Sequence, residues 1–184
     1  WSSDVCSSDL NGDGQIDTDN DMQMIGLGIP KATFGLTINL AYKGFDMVIF
    51  GTGVAGNKIY PSSWRTDRPH CNTYSWYWDN TWKKPGDNAK FPGTYYWDQM
   101  TFSSDYNLFD GSYFKIKQIQ LGYTFPQKWM KTIKVDNLRV YASLDDFFTF
   151  SDYPGFDPEV TNMGVDKGTF PTSKKVVAGV SITF

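Results

Sequence analysis

The stretch "NGDGQID", residues 11 to 17, puts oxygen-bearing side chains at alternate positions: Asn11, Asp13, Gln15 and Asp17, with Asp9 ahead of them. This follows the D-x-N-x-D-G-x-x-D spacing of a calcium loop, where hard oxygen ligands converge on the cation and a glycine, here Gly14, permits the sharp bend. Position twelve of such a loop is Asn20 rather than a bidentate Glu, with Asp19 and Asp21 as neighbouring substitutes. No flanking helices are predicted. Calcium on Asn11, Asp13, Gln15 and Asp17 is one reading, and an Asx-rich turn closed by its own hydrogen bonds is the other.

A second group is aromatic. Five of the seven tryptophans (Trp64, Trp76, Trp78, Trp82, Trp97) fall between Thr52 and Asp110, among Tyr60, Tyr74, Tyr77, Tyr95 and Tyr96. Sugar rings present C–H faces that stack on Trp and Tyr, and the same side chains anchor protein partners. Trp76, Tyr77, Trp78, Trp82 and Trp97 are therefore the candidate ligand contacts; the plainer alternative is that they pack on one another or against a partner protein. Catalysis finds no comparable support. Asp145-Asp146 and Asp157 with Glu159 are carboxylate pairs of a kind expected to be solvated or turn-forming. His70 is the only histidine and no nucleophile signature surrounds it. His70-Cys71 is not a metal-ligand spacing, and Cys6 and Cys71 stand too far apart, in unlike settings, to suggest a disulfide framework. No enzyme class is assigned.

The elements that must position these groups are strands. The chain has 184 residues, 17% of them aromatic, with 17 glycines and a net charge of −3. The acidic balance leaves no basic stripe for nucleic acid. No window reaches the roughly 20 apolar residues of a spanning helix, whereas a membrane β-barrel needs an apolar residue only at every second position. In "KATFGLTINLAY" Phe34, Leu36, Ile38, Leu40 and Tyr42 alternate with small or polar residues, the period of a two-faced strand. Lys43-Gly44 reads as a tight turn, and Phe45, Met47 and Ile49 return in step. Strands are predicted at about 31–42, 45–55, 111–125, 137–150 and 174–184, the third slipping phase near Lys117-Gln118, where a bulge is expected. "PQKWMKTIKVDN" reads as a turn or short helical piece. Tyr42, Tyr60, Tyr123 and Phe150, near strand ends, are expected in interfacial aromatic girdles.

The blocks "NGDGQID", "YKGFDMVIFGTGVAGNKIY", "DGSYFKIKQIQLGYTFP", "NLRVYASLDDFFTF" and "YPGFDPEV" resemble, in this order, the C-terminal part of the SusC/RagA family of TonB-dependent outer-membrane transporters. The resemblance spans residues 11 to 184 and departs from the family at Leu144-Asp145-Asp146-Phe147. It implies an all-β, antiparallel transmembrane β-barrel segment, the last five strands of a barrel of about 22, with long extracellular loops. It further implies import of oligosaccharides or other large nutrients across the outer membrane of a Gram-negative bacterium. The partners implied are a SusD-like lipoprotein and, through an N-terminal region not in this chain, the TonB complex. Val180, Ile182 and Phe184 would serve as the C-terminal barrel-assembly signal. Counting strands backwards places Lys43-Gly44 and residues 126–136 in the periplasm, and residues 11–30, 52–110 and 151–172 outside the cell.

Two further expectations complete the reading. Ser-Ser-Asp occurs at residues 2–4 and again at 7–9; residues 1–10 read as a translated sequencing adapter rather than protein, with a natural Ser-rich linker as the alternative, and are set aside from fold reasoning. Asp9 would then be an accidental member of the calcium pattern. The rival functional class is a secreted carbohydrate-binding β-sandwich, which would bury its apolar faces against a second sheet instead of presenting them to lipid; a calcium-dependent adhesion module is a weaker third.

Overall fold

The structure, a computed structural model, describes residues 11–15, 26–62, 74–91, 93, 105–131, 134–161 and 163–184. These residues fall into two compact units.

The larger unit, Pro30–Gly56, Gly111–Val160 and Phe170–Phe184, holds a five-stranded antiparallel sheet. Its strands are β1 (Ala32–Tyr42), β2 (Phe45–Ala55), β5 (Tyr113–Thr124), β6 (Asn137–Ser151) and β8 (Lys175–Thr183), in the order β1-β2-β5-β6-β8. Each strand lies beside the next of the five along the chain. The β1–β2 hairpin closes through Lys43 (φ 48°) and Gly44 (φ 88°) between the paired Tyr42 and Phe45. Two successive positive φ angles give the turn whose twist matches that of the flanking strands, and glycine takes one of them without strain. At the same end of the sheet, β5 runs through Pro126 into a single helical turn, α2 (Gln127–Met130), before β6 begins.

The phase slip in the third strand is a bulge. Against β2, Gly51 pairs with Ile116 and Phe50 with Gln118, so Lys117 has no direct partner there. Against β6, Ile116 pairs with Phe148 and Gln118 with Asp145, leaving Asp146 and Phe147 opposite Lys117. Asp146 takes a left-handed conformation (φ 58°) to make room, one extra residue bending the strand as bulges do. The slip has a consequence for the faces: Phe114 and Ile116 return to the same side of the sheet as Ile119, Leu121 and Tyr123.

The smaller unit lies within residues 11–29, 57–110 and 161–169. It contains three short strands that the period of the sequence does not reveal: β3 (Lys58–Pro61), β4 (Phe109–Asp110) and β7 (Val165–Asp166). β3 is central, antiparallel to β4 and parallel to β7. Ile59 is wholly buried at its middle. Tyr60, expected in an interfacial girdle, instead sits in β3 opposite Val165. Four residues are too few for alternation to say which sheet a strand joins. A short helix, α1 (Ser75–Asp79), a single 3-10 turn (Asp105–Asn107) and an isolated bridge between Thr81 and Phe91 complete this unit among the described residues.

Candidate functional site

The register of the five strands sorts their side chains onto two unlike faces. On one face lie Phe34, Leu36, Ile38, Leu40 and Tyr42 of β1 opposite Phe45, Met47 and Ile49 of β2. Ile116, Ile119 and Leu121 of β5 continue the same face. Leu144, Ala142, Val140 and Leu138 of β6, opposite Val176, Ala178, Val180 and Ile182 of β8, complete it. No strand breaks the belt with a charge. β1 is exposed along its whole length, as are Phe45, Leu121, Val176, Val180 and Ile182, and the other large members are half-buried; among the described residues none of the belt's large members is buried as the inner face of a sandwich would be.

Aromatic rings mark both ends of this belt. Near the chain-entry end of β1, Phe34 stacks on Phe114 (6.0 Å, 9°) and Phe114 on Phe150 (6.5 Å, 21°). Their rings lie over Gly51 and Gly53, where a Cβ would collide with them; the glycines are the floor of the row. Near the turn end, Phe45 meets Tyr123 at 4.5 Å, Tyr123 meets Phe125 at 5.0 Å, and Phe125 meets the exposed Trp129 at 6.3 Å. From Phe34 to Tyr42 the strand runs about 26 Å at about 3.3 Å per residue, which at a tilt of about 40° is roughly 20 Å of height, most of the roughly 25 Å apolar band of an outer-membrane barrel.

The opposite face is polar and is tied by charge. Arg139 on β6 donates from Nε and Nη2 to the two carboxylate oxygens of Asp46 on β2 (3.0 and 2.5 Å), reaching across β5. It passes above Gly122, where any side chain would meet both partners. Arg139 also lies 5.2 Å from the centre of the Tyr141 ring, which in turn covers Gly179 of β8. Further along this face Lys115, 2% exposed, donates to Asp157 and Glu159 at 2.9 Å each. Lys117 donates to Glu159 (2.6 Å) and pairs with the bulged Asp146 (3.3 Å). Burial pushes the Asp157 carboxyl up, but hydrogen bonds from Lys115, from the Thr172 N–H and from the Glu159 N–H outweigh it and hold the group below the usual carboxylate range. Glu159 behaves alike: burial raises it, and Lys117 and Lys115 bring it below that range. The sequence offered two readings for Asp157 and Glu159, solvated or turn-forming; Asp157 is buried rather than solvated, and it does form a turn, accepting the Glu159 N–H at 3.1 Å. The signal available was Lys115 itself, a lysine between Phe114 and Ile116 on the polar parity of a strand, which needs a counter-charge if buried.

The aromatic loop divides by role. Tyr77, 3% exposed, packs on Phe91 with ring centres 4.4 Å apart. Trp76 is edge-on to Tyr77, Phe91 and Phe109 at about 6 Å. Both therefore hold the loop together. Trp82 is half-buried, its backbone N–H donating to the Phe91 carbonyl. Trp78 is the open one, 50% exposed, with the Lys83 ammonium 4.9 Å from a ring centre. Trp97 lies outside the described residues, as does Asp17 of the calcium pattern. Asn11, Asp13 and Gln15 form an exposed pair of Asx turns: Asn11 Nδ2 donates to Asp13 at 2.9 Å, the Asp13 N–H to Asn11 Oδ1 at 3.0 Å, and the Gln15 N–H to Asp13 Oδ1 at 2.8 Å. Among the described residues no cluster of three or more metal-ligating side chains occurs. Val180 and Ile182 lie on the apolar face of β8, and Phe184 follows its last residue.

A sheet with an uncovered apolar belt, ring-lined borders and a charged reverse side is a section of membrane β-barrel wall. The comparisons with known proteins agree. No family profile matches the chain. TonB-dependent receptor P3 of Formosa agariphila is 29% identical over 96% of this chain and 18% of its own length. TonB-dependent receptor SusC of Bacteroides thetaiotaomicron is 29% identical over 96% of this chain and 17% of its own. Among solved structures, the RagAB peptide transporter superposes with a TM-score of 0.77 at 22% identity, covering 92% of this chain and 19% of that one. The chain thus spans under a fifth of the length of these relatives. Over this length it is similar to SusC/RagA-type TonB-dependent receptors. These relatives are receptors and transporters, not enzymes.

Proposed function

We propose that residues 11–184 form the C-terminal strands of an outer-membrane barrel that imports large nutrients in a Gram-negative bacterium, the complete receptor being energised through TonB and working with a SusD-like lipoprotein. The observation that carries this reading is the apolar belt between two aromatic rows, a surface that needs lipid to cover it. The open edges of β1 and β8 among the described strands would be paired by the remainder of the barrel, since unpaired strand edges are not tolerated in a bilayer.

For cargo the chain's own feature is the aromatic loop. Trp78, exposed on a rigid packed base of Trp76, Tyr77 and Phe91, suits the stacking of a sugar ring, and Trp82 and Trp97 are its candidate neighbours. This supports oligosaccharide as the cargo class; RagAB, a solved structural relative, is a peptide importer, which makes peptide the competing outcome. Calcium on the Asn11 turn and assembly recognition of Val180, Ile182 and Phe184 belong to the same reading. Uptake of labelled oligosaccharide and of labelled peptide by cells carrying the full-length receptor, with and without Trp78→Ala, tests it. Loss of oligosaccharide uptake in the deletion strain and a several-fold loss in the variant are expected. Uptake of peptide alone would move the cargo class, and a receptor that leaves the membrane fraction without detergent would refute the barrel.

A further inference from the structure

The charged cluster on the polar face does something that the wall itself does not require. Asp157 accepts from Lys115 Nζ through Oδ2, from the Glu159 N–H through Oδ1 (3.1 Å) and from the Thr172 N–H through Oδ2 (3.1 Å). One carboxylate therefore joins the chain leaving β6, the chain returning to β8, and the middle strand β5. Glu159, on the same single turn Pro158–Val160, adds Lys115 and Lys117. The bulge at Asp146 brings a third carboxylate to the two lysines.

We infer that Lys115, Lys117, Asp146, Asp157 and Glu159 form a clasp that closes the base of the excursion between β6 and β8 and fastens it to the polar face of β5. The clasp makes residues 153–160 and Thr172 a fixed part of the sheet. Residues beyond it can then change conformation without unpairing β8, whose only partner among the described strands is β6. The geometry favours a permanent fastening: Lys115 is buried beneath two carboxylates, and charge-assisted bonds in such a setting are the strong ones. Lys115 is a positioning residue in this account. The clasp stands independently of what the receptor imports.

Hydrogen exchange of the full-length receptor in detergent micelles tests the clasp at its own amides. In the native protein, peptides covering 153–160 and 170–177 should exchange as slowly as the middle of β5. Glu159→Gln should speed exchange in both peptides by about tenfold while β1 and β2 stay unchanged, and Lys115→Met should do so more strongly. Lys115→Arg should restore protection if charge at that depth is what matters. Should Lys115→Met fail to assemble, Glu159→Gln carries the test. Exchange in 153–160 and 170–177 that is already fast in the native protein, or unaltered by Glu159→Gln, would overturn the clasp.

Discussion

The two faces of the sheet are built on opposite principles. Apart from its ring stacks and the glycines beneath them, Gly51 and Gly53, the apolar face is built of aliphatic side chains whose main requirement is to be uncharged. The polar face is held by specific partners far apart in sequence, Asp46 with Arg139 and Lys115 with Asp157, and it needs Gly122 and Gly179 where it needs them because side chains cross above them. One face is specified by the phase in which it is immersed, the other by complementary charge. Membership of the first is cheap to keep, and the second is easy to break at a single residue.

The largest expected effect falls on the polar face. Lys115→Met leaves the buried Asp157 short of its principal counter-charge and should destabilise the full-length receptor by about 3 kcal/mol or more, measured by urea unfolding in detergent. On the apolar face Ile49→Arg, at the middle of the belt, should cost about 2–4 kcal/mol in a bilayer, whereas Ile49→Leu should cost under about 1.5 kcal/mol. An equal response to arginine and leucine there would erase the distinction between the faces.

Acid should act on the polar face alone. Asp157 and Glu159 titrate below the ordinary carboxylate range in the folded protein. Their contribution is therefore fully present above the unfolded values and is lost as pH falls through the folded ones, under about pH 4. Lys115, Lys117, Asp146 and Tyr113 are the other titratable groups facing them. Exchange in 153–160 should rise as pH drops from 5 to 3 after correction for intrinsic rates, with β1, which carries none of these charges, unaffected. The smallest effect is expected in the aromatic row: Phe114→Leu removes stacking on Phe34 and Phe150 at a cost of about 0.5–1.5 kcal/mol, read by the same urea unfolding.

This contrast also explains what the sequence could disclose. The alternation from Phe34 to Tyr42 and from Val176 to Ile182 is a direct print of the apolar face, and the phase slip at Lys117 is a direct print of the bulge, because both are local. Asp46 and Arg139 are separated by 93 positions, and nothing local marks either as the other's partner. The same holds for Asp157, whose setting in "FDPEV" reads as a turn until β5 is folded beside it. The strands β3, β4 and β7 run four, two and two residues, shorter than any period can register. In the loop, composition identified the aromatic cluster, but only packing separates Tyr77, buried in it, from Trp78, presented by it.

The central claim, that the belt is the lipid-facing surface, is tested most directly on β1, where every residue is exposed in the isolated segment. Spin labels placed singly at residues 36 to 41 of the full-length receptor in lipid bilayers report access to oxygen, which partitions into lipid, against access to a water-soluble nickel chelate. The account predicts strict alternation, with labels at Leu36, Ile38 and Leu40 favouring oxygen and labels at Thr37, Asn39 and Ala41 favouring the chelate or neither. Six positions with the same accessibility, or alternation of the opposite sign, would contradict it.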